Sequence, residues 1–516
     1  MYSNDTGQVR STSSRREFVG LMGGGGILAL SACGGGSGSA QEPVVVSPTP
    51  PLAAAPQITQ PPQSVSGEIG QTITLQVGVI GSNLRFQWQR GGVDIPGANA
   101  SSLVFVAQGG DHQAKFSVRV SNEVGSVSSA EAMLTLILRI PEGISLLAGK
   151  INATGDEVQV AKDGVGENAR FASMGGACSD SEGNLYVIDK TNKTLRKVTP
   201  LGVVTTSFQN FPSGGRRFPS IDRFGRPYSF FYGDANYLSD SALAMDKAGN
   251  FYGVRDRTIV KVTPDGTQSV FAGQSGVVGF NDGLGSQATF AMPAALAFDP
   301  QGNLLVADAA DIELVGESIN VEFYDITYGG TIRKITPEGV VSTIFGTPGK
   351  TFMRQQFVFG GIYEVNARGL VDPARGLLRP SAIACDAQGR IYVVDAFFYD
   401  AGYIRRIDGT GNVEMFVPIP QRSYSYRELA LLGDDVFVRG YGGTSNNIRS
   451  VLVKAPVNTS PAVIAGGQGA GFQLGPLPGS IGAVPNAAID VAALAVGPNK
   501  SLYFCTDGAV LRIGLP

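Results

Sequence analysis

"GGACSDSEGNLYVIDKTNKTLRKVTPLGVVTTSF", residues 175–208, is built from short apolar runs separated by turn chemistry. A small-residue run leads into an E-G-N turn, and L-Y-V-I and L-R-K-V follow as alternating segments. T-P-L-G turns the chain again before V-V-T-T-S-F. Runs of this length with period-two alternation and glycine punctuation specify four strands joined as an antiparallel meander. One such meander cannot bury its own faces, so it needs neighbours of the same kind.

The neighbours are in the sequence. "SALAMDKAGNFYGVRDRTIVKVTPDGTQSVFAG" (241–273) repeats the theme. "AALAFDPQGNLLVAD" (294–308) with "GTIRKITPEGVVSTIFG" (330–346) repeats it across an insertion, and "SAIACDAQGRIYVVDAFFYDAGYIRRIDGTGNVEMF" (381–416) is a fourth copy. Fainter fifth and sixth copies occupy 427–455 and 492–516. Four strands repeated around a ring are the signature of a β-propeller.

The wording of these repeats resembles the NHL family. "DGVGENARF" (163–171) and "NDGLGSQATF" (281–290) are similar to the loop that precedes an NHL blade. The resemblance runs from about Gly143 to the last residue, strong in four copies and weak in two, and it implies a six-bladed propeller over 139–516. The sixth copy stops where its fourth strand should begin. "GISLLAG" (143–149) has the form of an outermost strand with no blade before it, so pairing the two would close the ring.

Antiparallel order sorts the connections. Turns such as "DSEGN", "DKAGN", "TPLGV" and "TPDGT" share one face, and the longer connections emerge on the other. Three insertions stand out there, at 209–238, 309–330 and 347–378. The first interleaves cations with aromatics: Arg216, Arg217 and Arg223 with Phe230, Phe231 and Tyr232. These residue types offer bidentate donors and stacking surface. The second carries Glu313, Glu317, Glu322, Tyr324 and Asp325. Arg216, Arg217, Arg223, Phe230, Tyr232 and Tyr324 are the candidate ligand face. Asp189, Asp256, Asp308, Asp395 and Asp507 close second strands, where a turn bond is the expected role.

Residues 57–138 read as a separate unit of short alternating strands. "QTITLQVGV" and "AKFSVRVSN" flank a segment holding the single tryptophan, Trp88. This unit resembles a bacterial cell-surface immunoglobulin-like domain. Val77, Trp88 and Val118 stand where that fold usually has Cys, Trp and Cys, so a hydrophobic pair replaces the disulfide. Phe116 takes the place of the usual corner tyrosine, and the single histidine, His112, belongs to the lead-in as a corner residue. The expected fold class is therefore all-β: an immunoglobulin-like β-sandwich followed by a six-bladed NHL-type β-propeller.

The N-terminus supplies an address. "SRREFVGLMGGGGILALSAC" (14–33) has too short an apolar run to span a bilayer. Arg15 and Arg16 resemble a twin-arginine export signal, with Val19 and Gly20 departing from the commoner residues, and Leu30-Ser31-Ala32-Cys33 resembles a lipobox. The order of pair, apolar run and cysteine implies a signal over 1–33 with lipidation at Cys33. Gly34 follows, which points to an outer-membrane destination in the cell envelope. Residues 34–56 are Gly/Ser-rich and then Pro-rich, a tether that cannot bury a core.

The net charge of −3, with 16% charged residues, offers no basic field for nucleic acid. Cys178, Cys385 and Cys505 are expected as small buried residues. No catalytic constellation is present, no metal is assigned, and no cofactor is expected. The reading that follows is a lipid-anchored envelope scaffold that binds a protein or glycan through the long-loop face, touching the membrane only through its lipid. The alternative is a channel hydrolase or lyase using carboxylates such as Asp240, Glu428 and Asp490, with or without calcium. Histidine-bound metal is excluded from 143–516, which contain no histidine.

Overall fold

A computed structural model of the chain describes residues 54–140, 142–151, 160–212, 242–309, 312–318, 321–326, 330–346, 354–358, 361–363, 377, 380–396, 402–417, 425–442, 449–455, 462–466, 491–506 and 508–515. The signal residues Arg15, Arg16 and Cys33 lie outside these residues, as does the tether through residue 53. Among the described residues there is no α-helix, and none forms a helix long and apolar enough to cross a membrane.

The stretch at 175–208 folds as its pattern dictates. Met174–Ser179, Leu185–Asp189, Thr194–Val198 and Val203–Phe208 form an antiparallel meander, with Gly164–Val165 added outside the last strand. The second sheet is Leu243–Met245, Phe251–Arg255, Thr258–Val262 and Gln268–Ala272. The third is Pro293–Phe298, Leu304–Asp308, Thr331–Ile335 and Val340–Phe345, again with an outer addition, Gly283–Leu284. Pro380–Cys385, Ile391–Ala396, Gly402–Ile407 and Val413–Val417 form the fourth. Ser425–Leu432, Asp435–Gly442, Arg449–Ala455 and Ala462–Gly466 form the fifth.

Val491–Gly497, Ser501–Thr506 and Ala509–Gly514 supply only three strands of the sixth sheet. Its outermost strand is Gly143–Gly149, antiparallel to Ala509–Gly514, with Ile144 opposite Ile513 and Leu146 opposite Leu511. The first strands of successive sheets touch in cyclic order, and that of the sixth returns to that of the first. The chain therefore forms a closed β-propeller.

Sheet-on-sheet packing explains why the second strands read as continuous apolar runs. In Leu304–Asp308, Leu304 and Val306 pack with Tyr252, Ile259 and Phe290 toward the second sheet. Leu305 and Ala307 pack with Ile383 and Val393 toward the fourth. Successive side chains of a strand point to opposite faces, so a strand covered on both sides must be apolar at every position. The seam between the first and sixth sheets is filled the same way by Phe171, Met174, Val187, Tyr503 and Cys505.

The tight-turn face is built from one recurring device. Asp180 accepts hydrogen bonds from the Asn184 backbone N–H at 2.8 Å, from Asn184 Nδ2 at 2.8 Å and from the Tyr186 hydroxyl at 3.2 Å. Asp246 does the same with Asn250 and Tyr252, and Asp386 with Arg390 and Tyr392. The repeated D-x-x-G-N-x-Y wording is thus a side-chain-closed turn. Its glycine stands at φ +80° in both Gly183 and Gly249, a region that other residues enter at a cost.

The N-terminal unit sets two strand pairs and a larger sheet around one core. Gln57–Gln60 pairs Gly78–Ile80, and Thr72–Gln76 pairs Ser102–Val106. In the larger sheet Val65–Gly67 runs parallel to Ala132–Leu136, followed by Lys115–Ser121, Arg85–Arg90 and Val93–Asp94. Val77, Trp88, Phe116 and Val118 are all buried in the core, and Trp88 Nε1 donates to the Ala100 carbonyl at 3.0 Å. His112 is exposed, and its Nδ1 accepts the Leu136 N–H at 3.0 Å.

Candidate functional site

The long connections gather on the face opposite those turns. Two of the three insertions fold together: Ile312–Ser318 and Val321–Ile326 form a hairpin, and Arg354–Val358 with Gly361–Tyr363 extends it. The result is a four-stranded antiparallel sheet that belongs to none of the ring sheets. Its register sets Tyr324 opposite Leu314 and Gln355. Glu313, Asp325 and Arg354 fall in one row, and Glu317 faces Glu322.

Tyr324 is thereby placed on a regular strand. Arg216, Arg217, Arg223, Phe230, Phe231 and Tyr232 lie outside the described residues, as do Asp240, Asp490 and Asp507. Glu428 is on the innermost strand of the fifth sheet, opposite the buried Arg439.

Beneath this face lie buried ion pairs that the sequence reading did not single out. Arg333, fully buried, sends Nη1 to the Thr289 carbonyl at 3.0 Å and to Asp308 at 3.5 Å. Its Nη2 reaches the Asn281 carbonyl at 2.9 Å and Asp282 at 2.8 Å, and the guanidinium sits 5.2 Å from the Phe290 ring centroid. Asp282 also accepts the Thr343 N–H and hydroxyl, each at 3.0 Å. The first sheet repeats the arrangement with Arg196, Arg170, Asp163, Thr206 and Phe171, and Arg196 lies 3.9 Å from Asp189. In the fourth sheet Arg405 pairs with Asp395 at 3.2 Å.

These clasps assign work to the loops at 163–171 and 281–290. Each loop crosses to the outside of its sheet and is held there by an arginine of the third strand. The signal that could have found them is the recurrent L-R-K, I-R-K and I-R-R, because an arginine amid buried positions demands a carboxylate. Asp189 also keeps the expected turn bond, accepting the Asn192 N–H at 3.2 Å. Burial pushes the Asp308 carboxyl up to about 6, against the opposing pull of the Ala291 N–H, Arg333 and the Met292 N–H. For Asp282 burial acts in the same upward direction, but the Thr343 and Arg333 donors prevail and hold it below the usual range.

The thiols are unsuited to nucleophilic work. Burial, with Asp299 and Asp386 nearby, pushes Cys385 up to about 12, and burial raises Cys178 and Cys505 as well. Among the described residues no group of three His, Cys, Asp or Glu side chains could hold a metal ion.

No protein-family model matches the chain. Teneurin-m of Drosophila melanogaster is 27% identical over 161 residues, which is 30% of this chain; the chain spans 6% of that protein's length. An auxiliary nutrient binding protein from Bacteroides ovatus superposes with a TM-score of 0.39 at 12% identity, covering 88% of this chain and 98% of that one. Virginiamycin B lyase from Staphylococcus aureus gives 0.34 at 10% identity, covering 67% and 95%. Likenesses this distant leave the fold resting on the strand pairings described above.

Proposed function

We propose that this chain is a lipid-anchored cell-envelope binding protein, with a six-bladed NHL-type propeller carried on an immunoglobulin-like spacer. The observation that carries the reading is the asymmetry of the ring. One face is finished by short side-chain-closed turns, and the other gathers the long connections, two of which build a sheet of their own. Loops held on a rigid scaffold are where recognition concentrates. The partner is an envelope protein or a glycan, met by Arg216, Arg217, Arg223, Phe230, Tyr232 and Tyr324. The export pair Arg15–Arg16 and lipidation at Cys33 would fix the chain in the envelope, at the outer membrane, with residues 34–56 as a tether.

Replacing Arg217 and Tyr232 together in the full chain is expected to weaken capture of envelope components and leave the melting temperature unchanged. Undiminished capture would move the site off this face. Metal content of desalted protein, with melting curves in calcium and in chelator, tests the channel-enzyme alternative. Stoichiometric calcium that raises the melting temperature would favour carboxylate-bound calcium chemistry over pure binding.

A further inference from the structure

Three turns on the tight face share the form Thr-Pro-x-Gly, and the variable residue differs in kind. In the second sheet it is Asp265, whose carboxylate accepts from the Thr263 hydroxyl and from the Thr267 N–H and hydroxyl. In the third it is Glu338, kept below the usual range by the Thr336 hydroxyl. In the first it is Leu201, which packs against the core of the N-terminal sandwich.

The contact is close on the sandwich side. A Cβ on Gly109 would stand 1.9 Å from the Leu201 carbonyl oxygen, and one on Gly110 would stand 3.3 Å from Val165 Cγ2. Only glycine lets the two backbones approach this far. The corner is itself braced, since Asp111 accepts the Gln108 N–H at 2.8 Å and pairs with Arg90 at 2.8 Å.

The same turn touches the seam of the ring. A Cβ on Gly202 would lie 2.6 Å from the carbonyl oxygen of Leu147, in the closing strand. Arg512, in the strand that Gly143–Gly149 pairs with, donates from Nη1 to the Pro200 carbonyl at 3.0 Å. One turn therefore meets the sandwich, the closing strand and that strand's partner.

We propose that the sandwich clamps the ring: docking of its 108–112 corner on the Leu201 turn stabilises the pairing of Gly143–Gly149 with Ala509–Gly514. The connection from Leu136, the end of the last sandwich strand, to Gly143 is short. A docked sandwich holds the start of the closing strand beside its partner at high effective concentration. An undocked sandwich leaves that strand held only by its ladder and by the core packing of Ile144, Leu147 and Ala148.

Hydrogen exchange on the full chain tests this. Leu201→Asp copies the residue of the second-sheet turn, and Gly109→Val attacks the contact from the sandwich side. Each should speed exchange at 143–149 and 509–514 by about tenfold or more, the factor equivalent to about 1.4 kcal/mol of local stability. Exchange at 304–308 and 391–394 should stay unchanged, and Asp265→Leu should leave the seam unaffected. Faster exchange confined to 108–114 in both variants, or spread evenly over all sheets, would overturn the clamp.

Discussion

Arg333→Met is the most exacting test of the buried clasps. Methionine keeps much of the apolar stem, so the change removes the guanidinium and leaves its partners behind. The carbonyls of Thr289 and Asn281 lose their donor, and Asp308, only 1% exposed, loses its cation. Asp282 is different, because its side chain is 49% exposed and water can replace the arginine. Breaking a buried pair from one side costs about 3–5 kcal/mol, and the rehydrated Asp282 puts this case at about 3. An unfolding entropy of about 2.1 cal/mol/K per residue gives the ring about 0.8 kcal/mol per degree. The melting temperature should therefore fall by about 4 °C. Scanning calorimetry of wild type, Arg333→Met, Asp308→Asn and the double variant would measure it. The two single effects should also be non-additive by more than about 1 kcal/mol, as groups in one network are. A drop below about 1 °C, or simple additivity, would refute the claim that Arg333 and Asp308 stabilise the sheet as a unit.

Other outcomes can be checked directly. Asp308 binds protons more readily folded, up to about 6, than unfolded, so stability should fall as pH rises from roughly 4 through 6, and denaturant titration of Asp308→Asn should show a flatter slope there. Gly273→Ala and Gly276→Ala both place alanine at positive φ, but only at Gly273 would the Cβ meet a backbone oxygen, Arg257 O at 2.5 Å. The first should be clearly the more destabilising by thermal melt, the second costing about 1–2 kcal/mol. Cys178, Cys385 and Cys505 should resist a thiol reagent in native protein and react together once denaturant is added. Cys33→Ala should move the chain from the detergent phase to the aqueous phase on detergent partitioning if that cysteine carries the lipid.

Much of the ring was legible because its physics is local. Alternation marks the strands, D-x-x-G-N-x-Y marks the side-chain-closed turns, and "GISLLAG" stood out as a strand without a sheet. The pairing of Val321–Ile326 with Arg354–Val358 was not legible. Thr331–Ile335 and Val340–Phe345 come between them in sequence, and no local pattern records a register made across another sheet. The clasps were half legible: Asp163 and Asp282 were visible as turn residues, but their arginine partners lie more than 30 positions away. Leu201 was not singled out, since T-P-L-G reads as one more tight turn, and only the folded chain shows that it packs against the sandwich core.

The ring is closed by two strands made far apart in synthesis. Gly143–Gly149 must wait for Ala509–Gly514, about 365 residues later. At about 5–20 residues per second, Ile144, Leu146 and Leu147 spend roughly 20–70 s on the ribosome without their partner strand. Closure is therefore the last pairing the ring makes: every other sheet is complete in sequence before Ala509–Gly514 has been made, and until then Gly143–Gly149 stands as an apolar strand without its sheet.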